Sequence, residues 1–358
     1  MMAGVLLLAE FEVRAASVSR ESPAFFALTN FSSFQRSTNS AGEVELISGW
    51  IISPFAWDEL VVSWNALTPS GSGMKFEARA DGASGPTKFY VLGVWASDIT
   101  SRRRESVNGQ KDDHGDVSTD TLILRRPSER LQLRVTSMPN AAGRWPELKF
   151  IGLSLVQRGA AVRTIPPDKS AWGRILPVPE RSQLSYANGR EWCSATSVSM
   201  VLSYWAKRLS RPELDIDVSA VAAGVNDPTW QGTGNWSFNT AFAGEQRGMR
   251  ASVVRFADIA ELEALIVAGV PVVISISYQL LYDRPSSASN GHLVVCIGFT
   301  EKGDAVINDP WADFKKGDKV RAVIPRANLA KGWAHSKRTA YVIHPETWPM
   351  PGGDALRR

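Results

Sequence analysis

Between Phe25 and Gln157 polar and apolar residues alternate again and again. The pattern is clearest at 43–51, 59–64, 75–80, 88–95, 120–124, 130–136 and 147–155. A period of two puts one face of each segment on a core and the other in water, as in half-buried antiparallel strands. Clusters of Gly, Pro, Ser and Asn separate the segments, and no helical spacing interrupts them. The pattern predicts an N-terminal all-β sandwich.

The pattern changes further on. Val198, Val201, Leu202 and Trp205 recur at helical spacing and mark one apolar face. A short helix is predicted over Asp258 to Ala268, stopped by Gly269. Pro271 to Ser277 reads as a buried strand. Residues 292–299 and 305–310 read as a hairpin around Lys302-Gly303. Helices packed on such strands make an α+β unit. Between the two regions, Pro166, Pro167, Pro177 and Pro179 predict an extended, semi-rigid linker. The expected organisation is a poorly structured or processed stretch at 1–25, a sandwich at 26–158, a linker at 159–180, an α+β domain at 181–348 and a tail at 349–358. The second domain is expected to fold and work alone.

Composition narrows the function. A chain of 358 residues exceeds one ordinary core, which agrees with two domains. The net charge is only +4, and Arg102-Arg103-Arg104 is the one tight basic run, with no nucleic-acid module around it. The longest apolar run, Ala264 to Ser277, is too short to span a membrane and is broken by Gly269 and Pro271. Two cysteines argue against a disulfide scaffold, and four histidines without ligand spacing argue against a zinc site. No metal or cofactor is expected. Met1 to Ala9 looks like a signal core without a basic start, which tilts the expectation toward an extracytoplasmic or secreted protein.

The candidate chemistry centres on Cys193. A turn-forming run, Tyr186 to Arg190, leads into Glu191-Trp192-Cys193, so Cys193 falls in the first turn of the helix. Unpaired N–H groups and the positive end of the dipole stabilise a thiolate there. The competing reading is a small apolar residue packed under a helix start. A nucleophilic cysteine needs a base, and the base needs an orienting partner. His292 heads a strand after Ser289-Asn290-Gly291, and Asp309 closes the return strand just before Pro310. In this reading His292 pairs with Cys193 and Asp309 holds the ring. A two-residue turn at Lys302-Gly303 would pair Cys296 with Asp309, leaving His292 about 13 Å away along the strand. A bend, a bulge or another register must close that gap. Asn308 is the substitute if the register differs by one. Cys296, inside an apolar run, reads as structural.

Three aromatic residues, Trp230, Trp236 and Phe238, lie among Gly, Thr and Asn within 224–248. They are expected to line a substrate cleft; the alternative is a loop pinned into the core. Trp57, Trp64 and Trp95 would suit sugar stacking if they reach the surface, and core packing if they do not. The acidic loop Lys111 to Asp116 reads as solvated or as a cation site, though its spacing is not that of a calcium loop.

Several stretches together resemble a known family. They are Pro177-Val178-Pro179 through Gln183, the Trp192-Cys193 helix, Trp236 to Ala241, Leu262 to Leu265 followed by Gly269 to Val272, Gly291-His292 and Asn308-Asp309-Pro310. Over residues 176–345 their order and spacing are similar to papain-like cysteine peptidases of the bacteriocin-processing type, and more closely to peptidase family thirty-nine-like domains. The resemblance implies a papain-like α+β fold and a Cys193–His292–Asp309 triad acting through an acyl-enzyme thioester. It also implies an upstream Gln, here Gln183, donating to the oxyanion, and a Trp, here Trp311, over the His–Asp contact. The implied partner is a peptide or protein substrate. Acyl transfer by the same triad is the chemical neighbour. A non-catalytic surface protein that contacts polysaccharide or cell wall through the N-terminal region is the reading from another class.

Overall fold

The computed structural model describes residues 22–82, 85–161, 163–284 and 291–351. Most of the stretch expected to be unstructured or processed, the last seven residues of the tail, and Ser289-Asn290 before His292 lie outside the described residues.

The N-terminal region runs through β1 (Ala24–Leu28), β2 (Gln35–Thr38), β3 (Val44–Ile47), β4 (Ile51–Leu67), β5 (Gly73–Gly82), β6 (Gly85–Pro86), β7 (Tyr90–Trp95), β8 (Gly115–Ser118), β9 (Thr121–Met138) and β10 (Glu147–Val156). No helix interrupts it among the described residues. The alternating segments all lie wholly or partly in strands, though 43–51 divides between β3 and β4, 120–124 and 130–136 are the two ends of β9, and β1, β2, β6 and β8 lie outside them; the strands do not divide into the two sheets of a sandwich. They form one ten-stranded antiparallel sheet along the path β1-β10-β4-β9-β3-β2, with β5 and β8 also paired to β9. The reason lies in β4 and β9, long strands that carry Pro54 and Pro127. Proline has no N–H to give a ladder. Pairing between the two strands breaks between Ile52 and Trp57, and again between Trp57 and Glu59. Such irregularities bend a strand. The sheet curls into a half-barrel whose halves close on one core: Trp64 of β4 stacks on Phe76 of β5 at 4.1 Å.

That core decides two open readings. Trp57, Trp64 and Trp95 are wholly buried, so none is available to stack on a sugar. In the acidic loop, Asp112 accepts the Tyr90 hydroxyl and the N–H groups of His114 and Gly115, and pairs with Lys88 at 3.0 Å. Its oxygens are spent on the loop.

The C-terminal region contains α1 (Cys193–Leu209), α2 (Val218–Val225), α3 (Trp236–Glu245), β11 (Met249–Arg255), α4 (Ile259–Val267), β12 (Val272–Ser277), α5 (Tyr278–Leu281), β13 (Gly291–Phe299), β14 (Ala305–Asn308), β15 (Arg321–Ile324), α6 (Arg326–Ala334) and β16 (Thr339–Pro345). Its six strands form a separate antiparallel sheet in the order β11-β16-β12-β13-β14-β15. Helix α1 packs on β13, β12 and β16. It is buried from Ser194 to Ala206, not on one stripe only. Small side chains make this tolerable: Ser197 donates to the Leu293 carbonyl and Ser199 to that of Ile216, so their hydroxyls do not go unpaired.

The two regions share an interface rather than meeting at a flexible hinge. The edge of β11 is covered by β4: the Asn65 side chain accepts from the Ala251 N–H at 3.0 Å and donates to its carbonyl at 2.8 Å. It thus pairs with β11 as a neighbouring strand would, and blunts an edge that would otherwise be open. Phe238 of α3 is fully buried in the N-terminal core, against Trp64 and Trp95. Arg104, also fully buried, donates to the carbonyls of Ala223, Gly224 and Asn226 at the end of α2. Glu59 pairs with Arg255 at 3.1 Å and Lys337 at 2.7 Å. The Pro-rich segment is likewise pinned. Leu176 donates to the Ile297 carbonyl, and Trp172 Nε1 donates to the buried Glu263 at 2.8 Å. An enzyme domain that folds alone does not follow from this packing.

Candidate active site

The site begins at the turn before α1. Gln183 is fully buried, and its amide donates to the carbonyls of Gly189 (2.9 Å) and Arg190 (2.7 Å). Only glycine fits at 189, because a Cβ there would lie 1.8 Å from the Gln183 carbonyl oxygen. The chain then enters α1 with Trp192 as the cap, and no side chain caps this end. The N–H groups of the first turn are therefore free of helical partners where Cys193 stands. Cys193 is partly exposed and unpaired by any disulfide.

His292 lies on β13, against which α1 packs, and is buried. Its Nε2 meets Asp309 Oδ1 at 2.7 Å. The Cys193 side chain also bears on the ring and raises its pKa, and with Nε2 engaged by Asp309 it is Nδ1 that is left for the thiol. The gap expected from the sequence is closed by register. The connection is a wider turn, with Thr300 N–H bonded to the Asp304 carbonyl, and the ladder shifts between Cys296 and Gly298. Cys296 then faces Ile307, not Asp309. Continued by one residue, this register puts Asp309 opposite Val294, diagonal to His292 and on the same face. Diagonal neighbours lie within reach of long side chains.

Electrostatics follow from this burial. Burial alone would lower the His292 pKa, but the hydrogen bonds and charges of Asp309 and Cys193 outweigh it and push it up to about 10. Asp309 shows the reverse balance. Burial would raise its pKa, yet His292, the Tyr282 hydroxyl and the Trp311 N–H together hold it below the usual carboxylate value. Both shifts favour a charged imidazolium–carboxylate pair.

Not every expected residue stands here as expected. Both amide hydrogens of Gln183 are committed to the turn, so it presents no free donor without releasing one of those carbonyls. Asn308 points away, its amide near the Val178 and Pro179 carbonyls at 3.3 and 3.4 Å. Trp311 contributes its backbone N–H to Asp309 Oδ1 at 2.9 Å. Cys296 is buried, its thiol pushed up to about 12 by desolvation. The aromatic stretch is not a single loop: Trp236 and Phe238 lie on α3, and Phe238 is core, so it cannot line a cleft. Trp230 remains 47 % exposed, with its ring packed beside Gly232 and Gly234. Its loop is tied to the start of α1, since Thr233 donates to the Glu191 carbonyl at 2.7 Å.

Sequence reasoning missed two residues. The Tyr278 ring meets His292 edge-on at 5.4 Å, and the Tyr282 hydroxyl donates to Asp309 Oδ2 at 2.5 Å. The available signal was a pair of tyrosines four apart directly after a buried strand.

Comparison with known proteins adds a family. Residues 27–155 match the Peptidase C39 N-terminal domain, and residues 175–341 match the Peptidase_C39 like family. No curated protein sequence matches. Among solved structures, a candidate C39-like peptidase from Bacillus anthracis is 20 % identical, covering 48 % of this chain and 97 % of that one, with a TM-score of 0.37. A structure of infectious bursal disease virus Gt strain is 12 % identical over 44 % of this chain and 37 % of that one, with a TM-score of 0.23. No helix of the described residues is long and apolar enough to cross a membrane.

Proposed function

Because this chain belongs to the C39-like peptidase family, through residues 175–341 and the N-terminal domain before them, we propose that it is a cysteine peptidase of papain-like type, acting through Cys193, His292 and Asp309. The observation that carries this reading is the position of His292, buried between the Cys193 side chain and a carboxylate at 2.7 Å.

In the proposed reaction the Cys193 thiolate attacks the carbonyl carbon of a peptide bond. The Cys193 N–H, at the open end of α1, donates to the oxyanion that forms. Gln183 becomes a second donor only if it gives up one of its carbonyl acceptors in the turn. The C–N bond breaks as His292 passes its proton to the leaving amine, and a thioester remains on Cys193. Water then attacks the thioester. His292 takes a proton from that water, the C–S bond breaks, and the acid leaves. Asp309 stays ionised throughout and holds the ring with Nδ1 toward the sulfur. Trp230, the exposed aromatic on the loop tied to Glu191, is the residue we assign to substrate contact, with Trp236 at the base of the same loop.

The reading is tested by incubating the protein with a mixture of unstructured peptides and identifying new N-termini by mass spectrometry. Cleavage is expected from the wild-type protein and not from Cys193→Ala. Equal cleavage by both would overturn the assignment.

A further inference from the structure

Asp309 has two oxygens, and His292 uses one. The other is held by a tyrosine outside the motifs: the Tyr282 hydroxyl donates to Asp309 Oδ2 at 2.5 Å, while Oδ1 faces His292 Nε2 at 2.7 Å. The Trp311 N–H also reaches Oδ1, at 2.9 Å. A carboxylate with partners on both oxygens cannot turn about its Cβ–Cγ bond without breaking one of them.

The tyrosine itself is fixed. Tyr282 ends α5, and its N–H donates to the Tyr278 carbonyl at 3.2 Å. The turn is clamped from α6, where Asn328 donates to the Leu281 carbonyl at 3.3 Å and Gly332 packs so closely on Leu281 that a Cβ would lie at 3.2 Å. Tyr278 and Tyr282 lie against each other at 4.8 Å, and Tyr278 also meets the His292 ring edge-on. The Arg284 guanidinium covers both tyrosines, at 5.3 and 5.7 Å.

We infer that Tyr282 is a positioning residue for the His292–Asp309 pair: it locks the carboxylate in the orientation that aims His292 Nδ1 at Cys193. This rests on the peptidase reading above and adds a fourth side chain to it. The ionisable groups that bear on Asp309 are His292 from β13, Tyr282 and Tyr278 from α5, and Cys193 from α1 across the imidazole. Arg284 acts on both tyrosines from the periphery, and Asp318 on Tyr278. Of these, Tyr282 is the one that donates to Oδ2.

The sign of the effect follows. The Tyr282 hydrogen bond stabilises the ionised carboxylate, so it lowers the pKa of Asp309. Without it Asp309 takes up a proton at higher pH, the imidazolium loses its partner there, and the thiolate is lost with it. Tyr282→Phe removes one oxygen and keeps the ring.

The experiment is the rate of alkylation of Cys193 by iodoacetamide in the full chain, read peptide by peptide by mass spectrometry from pH 3 to 8. Tyr204→Phe is the control. The Tyr204 hydroxyl donates to the Gly269 carbonyl at 2.9 Å, and its removal costs a buried tyrosine hydrogen bond unconnected to the pair. Tyr282→Phe is expected to move the acid limb of the profile up by about one pH unit, the size of one hydrogen bond to a charged group, so that alkylation slows up to about tenfold within that limb and keeps the wild-type rate near neutrality. Tyr204→Phe is expected to keep the wild-type profile. A wild-type profile for Tyr282→Phe overturns the role of Tyr282 and leaves the peptidase reading standing. Equal displacement of the profile in both variants also overturns it, as a general effect of losing a buried hydroxyl. A wild-type Cys193 that is inert at acid pH overturns both.

Discussion

The first turn of α1 and the middle of β13 each carry a cysteine, and the two thiols could hardly be placed more differently. Cys193 is partly exposed, stands at an uncapped helix start and bears on a buried, charge-favouring imidazole. Cys296 is fully buried between apolar neighbours, with the Gly298 carbonyl 3.9 Å away. Four residues separate Cys296 from His292 on the same face of the same strand. On the reading proposed above, closeness to His292 in the sheet does not make a reactive thiol; a helix end, solvent access and a charged imidazole partner together do.

The most severe way to break this contrast is to exchange the roles by deletion. Cys193→Ala should reduce peptide cleavage by a factor of about a thousand or more, with thermal stability unchanged, since a partly exposed side chain of one sulfur is lost. Cys296→Ala should retain cleavage and lose about 1 kcal/mol, the cost of a small cavity, read by urea denaturation. The reverse pattern would assign the chemistry to the wrong thiol.

Removing residues 22–157 should abolish the contrast altogether. The truncated chain would expose Phe238, leave the edge of β11 uncovered and strip Arg255 of its Glu59 partner. It is expected to be insoluble, or loose enough that Cys296 reacts with a thiol reagent. A soluble, active fragment would mean that the interface is dispensable.

Asp309→Asn comes next in size. It keeps a hydrogen-bonding group beside His292 but removes the charge, and a fall in kcat of about 10- to 100-fold is expected with little change in KM. Asn308→Ala should leave kcat untouched, because its amide contacts the Val178 and Pro179 carbonyls rather than His292.

The smallest effects on catalysis concern the aromatics of residues 224–248. Phe238→Ala should cost about 3–5 kcal/mol of stability, measured by denaturant, as for a buried phenylalanine in a packed core. Trp230→Ala should raise KM several-fold and leave the melting temperature where it was.

Much of this arrangement was legible in the sequence. Cys193 could be found because a turn run precedes a helical repeat, and His292 because it heads an apolar strand. Asp309 is marked by its Pro, but the register that brings it to His292 depends on an irregular ladder at Cys296 and Gly298, whose one local mark is a glycine inside an apolar strand. The half-barrel reads as a sandwich because residues 120–124 and 130–136 look like two strands, whereas they are the two ends of one strand with Pro127 between them. Phe238 reads as a cleft residue for another reason. It lies among loop-forming residues, and its burial is decided by contacts with Trp64 and Trp95, far away in the chain. Tyr282 carries no motif, and only the folded turn of α5 brings it to Asp309.

The most direct measurement is the relative rate at which a small electrophile labels the two cysteines of the native protein between pH 5 and 8. His292 stays protonated up to about 10 while its partners remain in place, so the thiolate at Cys193 keeps its counter-charge across this range. The account predicts rapid labelling of Cys193 already at pH 5–6, none of Cys296, and loss of the acid-side reactivity of Cys193 in His292→Ala. Labelling of Cys193 that rises only above pH 8, as for an ordinary thiol, and that His292→Ala does not change, would contradict it.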